Sequence, residues 1–179
     1  MTEPEPSSPD QVARFHLLVG EIVRTWATFE STLWLIVQAL LGIDQFRARI
    51  IMASLPNLRA QREFIIRLGE TYLDDSVLPH FRSLMRRIKK LAARRNALAH
   101  SPMSHENNET YRIFRDVFNI EQDGGLGFSS DKISNKEIAQ LIAAIQTLQS
   151  DVIQFMVMVN GKIHSSARIH REPPKRPIL

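Results

Sequence analysis

The chain has 179 residues, of which 44% are hydrophobic and 23% are charged, so it is long enough and ordinary enough in composition for one globular domain. It contains no cysteine, which excludes disulfides, zinc–thiolate sites and thiol nucleophiles. The net charge of +4 is modest, but the stretch from Arg82 to Arg95 holds seven basic residues and no acidic one. Such a block indicates a polyanionic partner or, equally well, a solvated helix face.

The two ends of the chain differ from its middle. Residues 1–9 are acidic and rich in proline, unlike a signal peptide, and we expect them to be disordered. Residues 10–163 are expected to form the folded domain, and residues 164–179 a basic, proline-rich tail. No apolar run approaches the roughly 20 residues of a membrane-spanning helix, so we expect a cytoplasmic protein without a membrane partner.

Apolar periodicity predicts an all-α fold, a helical bundle of about five helices in which the first and last are long. The first helix is expected to be unbroken to Gly42, over about 30 residues or roughly 45 Å. Asn57 should cap the third helix, and Asp131 or Ser134 the last one, which Asn160-Gly161 should end. The expected helices cover approximately residues 10–42, 44–54, 57–72, 78–100 and 134–160.

The segment before the last helix has a different pattern. Residues 105–110 are polar and are expected to form a loop. Residues 111–120 mix aromatic and branched side chains, as strands do, and Asp123-Gly124-Gly125 is a turn sequence. With a short return strand at 126–128, this segment is expected to form a small β-hairpin.

The basic helix contains one residue that departs from its own pattern. At about 100° per residue, Arg95 lies on the apolar stripe of the helix. A guanidinium on an inward stripe is costly unless an anion or a carboxylate meets it. The sequence leaves three counterparts open: a phosphate, a partner subunit, or Glu30. The stripe consists of Leu84, Ile88, Leu91, Arg95 and Leu98.

Asn96 and His100 lie four residues apart, so their side chains are neighbours on the flank of that stripe. A histidine can act as a general acid or base near neutral pH, and arginine can hold a phosphate with its planar fork. Asparagine can orient the histidine or bind the substrate. These are the groups that metal-independent RNA cleavage requires. The alternative is structural, with Arg95 paired to Glu30 and His100 capping the last carbonyls of the helix.

The sequence Arg95-Asn96-Ala97-Leu98-Ala99-His100 at a helix end resembles the motif of the HEPN superfamily of ribonucleases and nucleotide-binding proteins. In that motif an arginine is followed by a polar residue, a short spacer and a histidine. The flanking helices, one containing Trp26–Glu30 and one opened by Ile133–Ile138, are similar to those of small bacterial HEPN-like proteins. The resemblance covers most of residues 10–161.

The resemblance implies a metal-independent endoribonuclease, a hydrolase that uses no cofactor and no metal. It implies Arg95, Asn96 and His100 as catalytic residues, in a composite cleft at a homodimer interface. It also implies RNA as substrate, a role as a toxin of the toxin–antitoxin type or as an antiviral-defence effector, and a separate antitoxin or regulator. The expected RNA-binding residues are Arg86, Arg87, Lys89, Lys90 and Arg94.

A second hypothesis stays open beside the first. Some HEPN members have lost catalysis, so the chain is alternatively a helical dimer that binds nucleic acid or a partner protein through its basic helix. The remaining histidines are scattered and give no metal-ligand spacing, so we expect them to be surface or packing residues.

Overall fold

A computed structural model describes residues 9–101, 103–107, 110–117 and 127–167. Within these ranges the chain is mostly helical, with a small antiparallel sheet before the last helix, as the sequence predicts at this coarse level. The N-terminal segment, the predicted turn at 123–125 and the chain after residue 167 lie outside the described residues. The described elements are α1 (Pro9–Glu30), α2 (Trp34–Leu41), α3 (Gln45–Ser54), α4 (Leu58–Tyr72), α5 (Leu78–His100), β1 (Met103–Asn107), β2 (Thr110–Val117), β3 (Gly127–Ser134) and α6 (Asn135–Ala167).

The described residues form two compact units, and both α5 and α6 contribute to each of them. Unit 1 comprises the described residues of Met1–Ser31 and Met85–Gln149, which include α1, most of α5, the sheet and the start of α6. Unit 2 comprises the described residues of Thr32–Leu84 and Ser150–Leu179. The candidate functional residues all belong to unit 1.

The prediction of one unbroken first helix is wrong, because the helix is interrupted between α1 and α2. The Ser31 hydroxyl donates to the carbonyl of Thr28 at 2.7 Å. The N–H of Leu35 then bonds the carbonyl of Thr32, three residues back rather than four, which is the tighter 3₁₀ spacing. Hydroxyl side chains that bond nearby carbonyls bend helices. The end at Gly42 is confirmed, with a φ of 63° in the left-handed region.

In unit 2, α3 and α4 begin where the sequence predicts. Asp44 caps α3 by accepting a hydrogen bond of 2.9 Å from the N–H three residues on, and Asn57 caps α4 in the same way at 3.0 Å. Gly69 lies on α4 directly against the ring of Phe81, and a Cβ at this position would overlap that ring. A glycine is therefore what allows the aromatic side chain to occupy this position.

The sheet has three strands in the order β1-β2-β3, each antiparallel to its neighbour, where the sequence predicts a hairpin of two. The expected loop at 105–110 is wrong for residues 105–107, which pair with β2 as part of β1, and for Thr110, which begins β2; residues 108–109 lie outside the described residues. The return strand is also longer than expected, since β3 pairs with β2 from Gly127 to Ser134. A polar strand such as β1 shows no alternation of apolar residues, so periodicity could not reveal it.

One face of the sheet is buried against helices of unit 1. Tyr111, Ile113 and Ile133 are 1%, 3% and 8% exposed. The ring of Tyr111 lies 4.5 Å from that of Phe15 on α1, measured between centroids. Its hydroxyl donates to Oδ1 of Asn135 at 2.8 Å. Tyr111 thus connects the sheet to both α1 and α6.

The other face of the sheet is held by a charge cluster. The Glu106 carboxylate accepts from Arg112 at 2.8 Å and lies 2.6 Å from Nζ of Lys132, so one side chain of β1 bridges both other strands. These hydrogen bonds, first from Lys132 and then from Arg112, lower the pKa of Glu106 below its usual 4.5. The cluster attaches the edge strand to the rest of the sheet.

The last helix begins as predicted and ends later. Ser134 precedes α6, and its N–H and hydroxyl both donate to Oε2 of Glu137 at 2.8 Å, while the N–H of Glu137 approaches the Ser134 hydroxyl at 3.3 Å. This is the reciprocal arrangement of a capping box. The predicted end at Asn160-Gly161 is wrong, because α6 continues to Ala167. Glycine lowers helix stability without forbidding the helix.

One described helix is long and apolar enough, by length and composition, to cross a membrane: α6 over Asn135–Asn160, with a mean hydropathy of 1.4. A second such span results if Val12–Leu41 and Gln45–Ser54 are counted together across their 119° bend. The core helix of a soluble protein passes the same test. In α6 the apolar residues from Ile138 to Val159 that recur at helical spacing are buried.

Candidate catalytic and nucleic-acid-binding site

The C-terminal half of α5 presents the candidate site. The helix covers Leu78–His100, the range that the sequence predicts. Its buried stripe includes Ile88, Leu91 and Leu98, which are 1%, 8% and 4% exposed. His100 is the last helical residue, and the N–H of Ser101 still bonds the carbonyl of Ala97 at 3.2 Å.

Arg95 occupies the middle of this buried stripe, as its spacing predicts, and is itself partly buried. Its Nε is fully buried and has no hydrogen-bond partner among the residues that the structure describes. Its Nη1 donates to Oδ1 of Asn96 at 3.0 Å, an interaction between adjacent residues. Among the described residues no carboxylate lies within ion-pair distance of Arg95, so the pairing with Glu30 is not made. A buried donor without a partner is costly, and an arriving anion would satisfy it.

Asn96 and His100 lie beside Arg95 on the exposed flank of the helix, and both side chains are exposed. Asn96 is occupied as the acceptor for Arg95. Neither residue lines either of the two clefts that flank this end of α5. The amide and the imidazole are therefore presented to solvent on one side of the helix end, and the Arg95 guanidinium reaches this side from the buried stripe through its bond to Asn96. No described contact ties the His100 ring to the last carbonyls of α5.

The five predicted RNA-binding cations are all exposed but do not form one surface. At 3.6 residues per turn, Lys89 lies about 20° and Arg86 about 40° around the helix from His100. By the same geometry Lys90 lies about 80°, Arg94 about 120° and Arg87 about 140° away. Arg86 and Lys89 thus share the face of His100, which we call the His100 face.

The first cleft beside the helix end has a volume of about 430 Å³ and lies between α1, α5 and the start of the sheet. Leu98, Ala99 and Ser101 line its α5 side, and its wall on α1 includes Phe15 and His16. The sequence gives no signal for this cleft, because it depends on how α1 packs beside the strands.

The second cleft, of about 250 Å³, lies between α5 and the junction of β3 with α6. Arg94 and Lys132 line it together with the carboxylates of Asp131 and Glu137. Hydrogen bonds from the backbone and hydroxyl of Ser134, and then the charge of Arg94, lower the pKa of Glu137 below 4.5. Arg94 therefore faces carboxylates, whose negative charge opposes the approach of a polyanion to it. The Ser134-x-x-Glu137 capping box is the sequence signal that places this carboxylate.

In the part of the chain that the structure describes, no three carboxylate or imidazole side chains lie close enough together to hold a metal ion. The side chains of His105, His164 and His170 lie outside the described residues. No protein-family model, no curated protein and no solved structure matches this chain.

Proposed function

We propose that the protein is a metal-independent endoribonuclease of the HEPN type, with Arg95 binding the scissile phosphate, His100 transferring a proton and Asn96 supporting both. One observation supports this above the others: Arg95 lies on the buried stripe with an unpartnered Nε and no carboxylate within reach among the described residues. A structural arginine at such a position would have its counterpart within the chain.

The reaction assigned to this site is an internal transesterification of RNA. The 2′-oxygen attacks the neighbouring phosphorus, the bond from phosphorus to the 5′-oxygen breaks, and a 2′,3′-cyclic phosphate and a 5′-hydroxyl result. A base removes the 2′-hydroxyl proton and an acid protonates the leaving oxygen. The Arg95 guanidinium stabilises the charge that develops on the phosphorane oxygens.

This chemistry favours a homodimer. The reaction needs one group that accepts a proton and one that donates it, and the described site of a single chain offers one imidazole, His100. A second copy of the chain, facing the first across a shared cleft, supplies the second imidazole for proton transfer. The same arrangement brings a phosphate between two Arg95 side chains, which would satisfy the buried donors.

The test is the chemistry of the products in the presence of EDTA. The RNA fragments are expected to end in 2′,3′-cyclic phosphate and 5′-hydroxyl groups. A substrate with a 2′-deoxynucleotide at the cleaved position is expected to resist, because it lacks the nucleophile. Products with 5′-phosphates, or cleavage of the deoxy substrate, would contradict the proposal.

The cellular role follows from the activity. We extend the proposal to a cytoplasmic toxin or antiviral-defence effector restrained by a separate antitoxin or regulator. The second candidate is a non-catalytic dimer that binds nucleic acid through α5, and the exposed cations of that helix favour it. It predicts RNA binding that weakens as salt rises but is indifferent to loss of the His100 ring.

A further inference from the structure

The exposed cations of α5 lie on different sides of the helix, and their positions indicate which side an RNA strand would follow. Lys89 and Lys90 are adjacent, of the same type, and both exposed, and no described carboxylate pairs with either. Lys89 lies about 20° from both Asn96 and His100 around the helix axis, whereas Lys90 lies about 120° from Asn96 and about 80° from His100. The two lysines therefore face different surroundings.

The His100 face is open along its length. It runs from Arg86 through Lys89 and Ala93 to Asn96 and His100, at spacings of three and four residues, and all five side chains are exposed. Ala93 is small, so among the described residues of this face no side chain between the cations and Asn96 obstructs a strand. On the other side, Arg94 faces Asp131 and Glu137, and their negative charge repels a phosphate.

We propose that the RNA strand lies along the His100 face. Lys89 and Arg86 bind phosphates that lie on the same side of the scissile phosphate along the strand. This inference rests on the proposed function and specifies its substrate path. Lys89 lies about 16 Å along the axis from His100 at 1.5 Å per residue, so it binds a phosphate several nucleotides from the cleaved bond. Lys90 and Arg94 contribute only to the general positive potential.

The experiment compares Lys89→Gln with Lys90→Gln in the full chain, since lysine and glutamine have similar helix propensities. Binding is measured by titrating a single-stranded RNA whose riboses carry 2′-O-methyl groups and cannot be cut. Lys89→Gln is expected to weaken binding about threefold to fivefold. It should also lower the slope of log affinity against log salt by about 0.7, the value for one lost phosphate contact on a single strand. Lys90→Gln should lower that slope by much less.

A length series sharpens the comparison. RNA strands too short to span from His100 to Lys89 should bind wild type and Lys89→Gln equally, and the difference should appear once the strand reaches Lys89. A second pair, Arg86→Gln and Arg94→Gln, should repeat the asymmetry. Equal changes in the salt slope for the two lysine variants would overturn the assigned substrate path. If the wild type still cleaves RNA in that case, the proposed function is retained. If Lys89→Gln affects RNA binding more than Lys90→Gln does, but the wild type cleaves no RNA, the RNA-binding face is supported and the proposed ribonuclease activity is overturned.

Discussion

At the scale of single residues, Arg95 combines a cost in stability with the phosphate-binding role proposed for it. Its aliphatic part belongs to a stripe of buried apolar residues, yet its Nε is buried without a partner. Leaving such a donor unsatisfied costs about 1–3 kcal/mol. An anion would satisfy this donor, which is the property that the proposed phosphate-binding role requires.

Replacing Arg95 with methionine separates the two roles. Methionine keeps most of the side-chain volume and removes the buried donor, so the free energy of unfolding should be unchanged or higher by up to about 1 kcal/mol. RNA cleavage should be lost. Urea denaturation and a cleavage assay on the same preparation measure both. A loss of more than about 1 kcal/mol in unfolding free energy would instead assign Arg95 a structural role.

The sequence predicts where the residues of the site lie on their helix, but it does not predict which side chains they contact. The helical period places Arg95 on the buried stripe, because the geometry of a helix does not depend on how the rest of the chain folds. It could not decide whether Glu30 reaches Arg95, since that depends on the position of α1. The proximity of Arg94 to Glu137 was missed for the same reason.

At the scale of elements, the packing of α4 on the first turn of α5 in unit 2 depends on Gly69. Gly69→Ala is expected to lower the free energy of unfolding by about 1–3 kcal/mol, because the added Cβ would displace the ring of Phe81. Gly20→Ala is the matched control, since nothing lies within 4 Å of a Cβ at this helical position. The control should stabilise the protein by about 0.5–1 kcal/mol. Thermal or urea unfolding of both variants distinguishes them, and equal effects would show that Phe81 moves aside freely.

The capping box of α6 gives a prediction with a definite pH dependence. Ser134→Ala should cost about 1 kcal/mol of unfolding free energy by removing the cap. Because the folded pKa of Glu137 is lowered, its charged form stabilises the fold above pH 4.5, and this contribution is lost as the pH falls through the lowered pKa. The difference in unfolding free energy between wild type and Glu137→Gln should therefore become smaller as the pH falls from 5 through the lowered pKa of Glu137. A difference that stays constant with pH would argue against the ionised cap.

The elements that the sequence predicted well are those with local signals. Asn57, Ser134 and Gly42 mark helix ends through their own side chains or backbone freedom, and each is observed in that role. The strand β1 was missed because its residues are polar and it is stabilised by pairing with β2 and by the bridge from Glu106. The interruption after α1 was missed because the apolar period continues through it.

At the scale of the whole molecule, the proposed function places the complete site in a homodimer. Mixing wild type with a threefold excess of His100→Ala, under conditions that exchange subunits, pairs three quarters of the wild-type chains with the variant. If cleavage needs both imidazoles, the rate per wild-type chain should fall about fourfold by random pairing. A rate per wild-type chain that does not change on mixing would indicate that one chain suffices.

The proposed activity requires the imidazole at the end of α5 to transfer a proton. The measurement is the rate of RNA cleavage in EDTA by wild type, His100→Ala and His80→Ala, with folding checked by urea denaturation. His80 is the exposed histidine at the opposite end of the same helix, where its ring stacks on Phe155 at 6.0 Å. Cleavage should persist in EDTA, fall by at least about 100-fold in His100→Ala and be retained in His80→Ala. Equal rates for wild type and a folded His100→Ala, or no cleavage by the wild type, would contradict the assignment.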